Sequence, residues 1–393
     1  MDRINYFQAL LISRLKDGLR RILGPFLPLI RATRTLPTRL RAERESARFR
    51  PVQRISVCYL TSQFPHRPAL RTEVAHGGAV KLTFLAESFP HSYPEASLLY
   101  AVSSVDHVAK AAIIRRAKQN GVKIILNQNG VAYPAWYGKG WEEPNRIMQE
   151  VYAQAAFIVF QSEFCKLGAE KFLGKSASPS QVIYNPVDTN LYQPVKKPIS
   201  RRGPVLLLGG NQYEQYRFET ALQVLKQVSM LLPETNLLIT GKLWGENQQV
   251  SMELAKQTLR ELGVENKVEF IGTYSQESAP KIFQRADILL HTKYNDPSPN
   301  LIAEALASGL PVVYSASGGV PELVGPDAGI GIQVDRSWEK ISTPDPQLMA
   351  ESIANIWGSH QKYADAARQR AVEQFSLEKF VRAHRELFKS LLD

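Results

Sequence analysis

The chain has 393 residues, 44% of them apolar, with a formal net charge of +11. That length exceeds one ordinary hydrophobic core, so two globular domains are expected. No run of about eighteen apolar residues occurs, so no spanning helix is expected, and with basic and apolar residues interleaved at the start no cleavable signal peptide is expected.

The charge is unevenly placed. Residues 1–50 hold twelve Arg/Lys and four acids, a balance of +8, which leaves +3 for the other 343 residues. Across residues 6–30, Phe7, Leu11, Leu15, Leu19, Ile22, Leu23, Phe26 and Leu27 recur at helical spacing, with Arg14, Lys16, Arg20 and Arg21 between them. This predicts a basic amphipathic helix suited to an anionic membrane surface, or else one that packs on its own protein or a partner. Nucleic acid is disfavoured, because the basic residues share the helix with a strong apolar face. Residues 31–53, arginine-rich with Pro37 and Pro51, read as a linker, so 1–53 forms one N-terminal unit.

From Ile55 strand and helix patterns alternate. Strands are predicted at Ile55–Thr61, Ser97–Val102, Val122–Asn127, Phe157–Gln161 and Val182–Tyr184. Helices are predicted from Gly77-Gly78 to about Ser88, at Val105–Gln119, at Arg146–Gln154 and at Glu163–Phe172. Cys58 and Cys165 fall in a strand and a helix and read as small apolar residues of a reducing compartment. A first domain is expected over 54–195, and 196–203 reads as a polar linker. A second alternating set then runs from strand Val205–Gly209 through helix Arg217–Leu232, strand Asn236–Thr240, helix Gln249–Leu262, strand Val268–Ile271 and helix Ala279–Arg285 to strand Asp287–His291. The helix Asn300–Ala307, the strand Leu310–Tyr314 and a helical C-terminus from about Gln347 complete a second domain, 196–375. The alternation argues parallel sheets with helices on both faces.

The most informative string runs from Asn295 to Gly325. Asp296 and Glu304 are separated by seven residues and flank the start of a helix that follows Pro297 and Pro299. Helix N-termini carry unpaired N–H groups and favour phosphate. Acids on either side of that end suit the hydroxyls of a sugar nucleotide. Gly309-Leu310-Pro311-Val312-Val313 and Gly318-Gly319-Val320-Pro321-Glu322 follow.

This string resembles the signature of the group 1, or family 4, retaining glycosyltransferases. The segment 185–188 is similar to that family's interdomain hinge, with proline in place of glycine. The resemblance implies the GT-B fold: α/β, two doubly wound, Rossmann-like parallel-sheet domains facing a cleft, with the helix 376–393 crossing back to the first. It implies transfer of a hexose-type unit from a nucleoside diphosphate sugar to a glycan or lipid-linked acceptor, with retention of configuration and neither metal nor cofactor. Asp296 and Arg217 are the implied catalytic pair. The donor is expected to meet Gly77, Gly78, Asn211, Arg217, Lys242, Tyr274, Asp296, Ser298, Asn300, Leu301 and Glu304. Asn129 stands where the family often has histidine, and Trp136 and Tyr137 are acceptor-side candidates. Asn211 and Tyr216 stand where the family has its two cations, which makes Arg217 or Lys242 the expected replacement. A sugar-nucleotide epimerase of the same architecture and a non-catalytic membrane-associated scaffold are the alternatives. With residues 1–30 on an anionic surface, the expected place is the cytoplasmic face of a membrane.

Overall fold

A computed structural model describes residues 27–69, 77–195 and 203–393. The expected helix over 6–30 therefore lies, except for its last residues, outside the described residues, as does most of the linker 196–203.

The first sheet contains β1 (Val57–Leu60), β2 (Leu98–Val102), β3 (Lys123–Gln128), β4 (Phe157–Phe160) and β5 (Ser180–Val182), all parallel and in that spatial order. Strands covered on both faces read as near-continuous apolar runs, as these do. One face, through Cys58, Leu60, Leu99, Ile124 and Ile158, packs on the helices Lys110–Gln119, Glu142–Tyr152 and Glu163–Phe172. The other, through Val57, Tyr59, Leu98, Tyr100 and Val159, packs on Val80–Ser88 and on the last helix of the chain, Leu377–Ser390.

The second sheet contains β6 (Val205–Leu208), β7 (Asn236–Thr240), β8 (Val268–Gly272), β9 (Ile288–His291), β10 (Val312–Ser315) and β11 (Gly329–Ile332). Their spatial order is β11-β10-β9-β6-β7-β8, all parallel. The order reverses between β6 and β9, and in open parallel sheets ligands bind outside the strand carboxyl ends at that point. Side chains cap the helix starts: Asn247 accepts from the N–H groups of Gln249 and Val250, and Asp345 from those of Gln347 and Leu348.

The chain crosses between domains twice, side by side. Val187 N–H donates to Phe375 O at 2.8 Å, and Val187 pairs with Ser376 as an isolated parallel bridge. Arg368 pins the first crossing, donating from Nη1 to Tyr192 O at 2.8 Å and from Nη2 to Thr189 O at 2.9 Å. Ser376 then caps Leu377–Ser390, which lies on the first domain.

The linker expected over 31–53 is corrected. Leu27–Ser46 is a helix with Pro37 inside it. Arginine is a good helix former. Ala42, Ser46 and Phe49 are buried, Ala42 and Phe49 in the first-domain core. Tyr93 Oη donates to Glu45 O at 2.6 Å. No described helix is long and apolar enough to cross a membrane. Four short elements were not anticipated: the helices Pro134–Tyr137 and Val320–Val324, the 3-10 turn Glu265–Lys267, and β11.

Candidate active site

The carboxyl ends of β6, β7, β8 and β9 converge. After β6, Gly209 lets Leu301 pack against the backbone, since a Cβ there would collide with the Leu301 side chain. Asn211 Oδ1 accepts from Lys242 N–H at 2.8 Å. Tyr274 hydrogen bonds to the Thr240 side chain and the Gly210 backbone, and burial followed by the nearby Glu304 pushes its hydroxyl up to about 12. The helix Asn300–Ala307 begins after Pro299 with no side chain capping its N-terminus. Glu304, one turn in, hydrogen bonds with the Tyr192 hydroxyl of the hinge segment. Burial pushes its carboxyl up to about 7, against the opposing pull of that hydroxyl.

Asp296 sits on a sharp turn after β9. Asn295 adopts φ 49°, a left-handed conformation that asparagine tolerates better than most residues. Its N–H is held by Ser317 Oγ at 2.9 Å. Gly318 and Gly319 are required beside this turn, because a Cβ on either would strike the backbone of Asp296 or Pro297. Asp296 Oδ2 lies 3.2 Å from His291 Nε2, and Oδ1 lies 3.6 Å from Lys293 Nζ. Burial raises this acid. Lys293, the His291 hydrogen bond and Arg217 together outweigh burial and hold the carboxyl well below the usual carboxylate range. Burial pushes His291 down, so near pH 7 its neutral ring donates Nε2–H to Asp296. Its buried Nδ1 has no partner among the described residues.

The first domain faces this turn. Gly130 lies against Pro297. Ser162 Oγ donates to Pro297 O at 2.6 Å, and Ser298 Oγ to Gln161 O at 3.3 Å. Gly78 packs so closely on Ser104 and Asn129 that any side chain there would collide with them. Asn129 Oδ1 accepts from Gln161 Nε2 and from Lys81 Nζ, while its Nδ2 donates to Ser104 Oγ. Trp338, from the second domain, stacks on Phe164 at 4.8 Å between ring centres and meets Tyr133 edge-on.

Asn211, Tyr274, Asp296, Ser298, Asn300, Leu301 and Glu304 thus gather at the switch point, with Gly77, Gly78 and Asn129 presented from the other domain. Two expectations are placed differently. Arg217 is buried beneath the β6 loop, its Nη1 donating to Asn211 O at 2.7 Å and its Nη2 to Gly209 O at 3.5 Å. Its guanidinium shapes that loop. Trp136 and Tyr137 stand exposed on Pro134–Tyr137, among the aromatics around Tyr133. The sequence reading passed over His291, Lys293, Lys81, Gln161 and Trp338. A polar residue ending a buried strand marks His291, and a lysine three residues after Gly78 marks Lys81.

Residues 193–370 match the family model described as glycosyl transferases group 1. A D-inositol 3-phosphate glycosyltransferase of Corynebacterium aurimucosum is 30% identical over 49% of this chain and 51% of its own. Among solved structures, Anabaena HepE in complex with UDP aligns with TM-score 0.60 at 20% identity, over 75% of this chain and 79% of HepE. The sucrose-phosphate synthase of Thermosynechococcus elongatus aligns with TM-score 0.62 at 17% identity, over 80% of this chain and 77% of that one. The chain spans about a third to a half of the length of the curated relatives it matches. The second domain of this chain is thus similar to the group 1 glycosyltransferases, and its two facing parallel-sheet domains share the GT-B architecture of the solved structures.

Proposed function

We propose that the chain transfers a hexose-type unit from a nucleoside diphosphate sugar to a glycan or lipid-linked acceptor, with retention of configuration. The observation that carries this reading is the pairing of Asp296 and Glu304 about the uncapped start of Asn300–Ala307, at the switch point and facing Gly130. Glu304 accepts from the ribose hydroxyls, and Asp296 accepts from a hydroxyl of the transferred sugar. Lys293, Lys242 and backbone N–H groups neutralise the diphosphate without a metal. The leaving phosphate oxygen takes the proton of the attacking hydroxyl on the same face, so no protein nucleophile is needed. The protein's part is positioning and electrostatic stabilisation of the leaving group. Anabaena HepE has been solved with UDP and with UDP-glucose, so uridine donors are the first to try.

The acceptor side of the proposal is a membrane surface. On the helix Leu27–Ser46, Leu36 and Leu40 lie one turn apart and are 52% and 58% exposed. Arg39, Arg41 and Arg44 are exposed beside them. Apolar and basic groups together favour an anionic interface.

A thermal-shift screen of UDP, GDP and ADP sugars, followed by transfer of labelled sugar to a lipid extract, tests the reading. The expected result is one stabilising nucleotide class and label in an acceptor. Interconversion of the donor without transfer makes the chain an epimerase. Nucleotide binding with neither reaction makes it a scaffold.

A further inference from the structure

Lys81 is 3% exposed and lies in the helix Val80–Ser88, behind Gly77-Gly78. Its Nζ meets two amide oxygens, Oδ1 of Asn127 at 3.1 Å and Oδ1 of Asn129 at 3.4 Å. An ammonium donates and never accepts. Both asparagines must therefore turn oxygen toward Lys81 and nitrogen away from it.

The constraint passes on. Gln161 Nε2 donates to the same two oxygens, so Gln161 Oε1 points the other way, to Asn185 Nδ2 at 2.8 Å. Asn185 Nδ2 also donates to Asn300 Oδ1 at 2.9 Å, at the first position of Asn300–Ala307. An amide has one accepting end and one donating end, so fixing the first fixes the next. The sequence Lys81, Asn129, Gln161, Asn185, Asn300 crosses from the first domain to the second.

We infer that Lys81 is a positioning residue that sets the polarity of this amide relay, so that Asn129, after giving one Nδ2–H to Ser104 Oγ, and Asn300, with Oδ1 turned to Asn185, each keep an N–H donor for the cleft, one from each domain. Two converging donors recognise an oxygen acceptor, such as a phosphate or sugar oxygen, and disfavour a group that can only donate. The identity of that acceptor rests on the glycosyl-transfer reading, whereas the relay does not.

Side-chain amide NMR of the whole unliganded chain tests the relay. Lys81→Met is expected to shift the Nδ2 resonances of both Asn129 and Asn300. Gln161→Leu cuts the relay in the middle, and is expected to shift Asn300 even if Lys81→Met fails to fold. An Asn300 resonance that moves in neither folded variant overturns the inference. In a second arm, UDP-glucose is titrated calorimetrically. Lys81→Met and Asn129→Ala each lower affinity about tenfold, the scale of one lost hydrogen bond, and the double variant loses no more than either alone. Asn129→Asp, which keeps oxygen toward Lys81 but removes the donor, loses as much as Asn129→Ala. Additive losses, or full affinity in Asn129→Asp, overturn the role in binding. Failure of the unsubstituted protein to bind UDP-glucose counts against the donor reading, and the NMR arm still decides the relay.

Discussion

Glu322 of the second domain caps a helix of the first at Glu163. Its Oε2 accepts from the Glu163 N–H at 2.9 Å, and its Oε1 from the Phe164 N–H at 3.1 Å. The last residue of the Gly-Gly-Val-Pro-Glu turn therefore ties the second domain to the first. Glu322→Ala is expected to lower stability by about 1 kcal/mol, the usual cost of a lost cap. Urea unfolding measures it, and an unchanged midpoint would count against the interdomain cap.

Glu304 gives a pH dependence. Its carboxyl is pushed up to about 7 by burial, from an ordinary 4.5. Between those values the folded protein holds a proton that the unfolded chain has lost, so this group's contribution falls as pH rises through the window. Glu304→Gln is thus expected to gain stability relative to the unsubstituted protein, by up to roughly 3 kcal/mol, between pH 4 and pH 8. The same variant is expected to weaken UDP binding by about 1–3 kcal/mol. Calorimetry at pH 8 checks the second part. Unchanged UDP affinity would mean that Glu304 does not touch the ribose.

Lys293 and Arg217 are expected to fail in different ways. Lys293 pairs with Asp296 at the edge of the site, so Lys293→Met should cost more affinity for UDP than for uridine. Arg217 holds the carbonyls of Gly209 and Asn211, so Arg217→Ala should cost both ligands equally and lower the thermal midpoint as well. A selective loss of UDP in Arg217→Ala would return the diphosphate role to the arginine.

Lys81 carries a pH signature of the opposite sign to that of Glu304. Burial pushes it down to about 7, from an ordinary 10.5. Between those values the unfolded chain binds the extra proton, so the stability owed to this group rises with pH. It is lowest below pH 7. Lys81→Met removes that dependence, and its stability relative to the unsubstituted protein should fall by up to roughly 3 kcal/mol from pH 6 to pH 9. Denaturation midpoints of the two proteins at both pH values decide this, and a difference independent of pH would rule out an ionising buried lysine.

Flotation with liposomes tests the membrane surface. The full chain should float with vesicles containing anionic lipid and be released by salt. Deleting residues 1–33, which leaves Ala42, Ser46 and Phe49 in place, should weaken flotation and spare UDP binding. Arg39→Glu with Arg41→Glu should weaken it further. Flotation that is indifferent to lipid charge, or absent in the full chain, removes the membrane from the proposal.

The alternating elements and the string around Asp296 and Glu304 were legible because their causes are local. Apolar periodicity marks each strand, and Gly318-Gly319 is demanded by a turn only residues away. Lys81 was not legible, because it is explained by Asn127, 46 positions on. Trp338 likewise acquires meaning only beside Phe164 and Tyr133. β11 was hidden by its composition: Gly329 and Gly331 weaken the strand signal, although Gly329 is needed where the β10 backbone approaches. The helix Leu27–Ser46 was hidden by Pro37 and by arginines that advertise solvent rather than packing.

The last helix has a consequence for how the protein is made. Phe380, Leu387 and Phe388 cover the face of the first sheet that holds Val57, Tyr59, Leu98 and Tyr100. During synthesis that face stays only partly covered, by the helix Val80–Ser88, while the whole second domain is translated. Of the two domains, the one translated first is therefore completed second, and part of its apolar face is open to chaperones or to aggregation in the interval. Loss of the 14-residue helix Leu377–Ser390 would therefore damage the domain from which it is separated by the whole second domain.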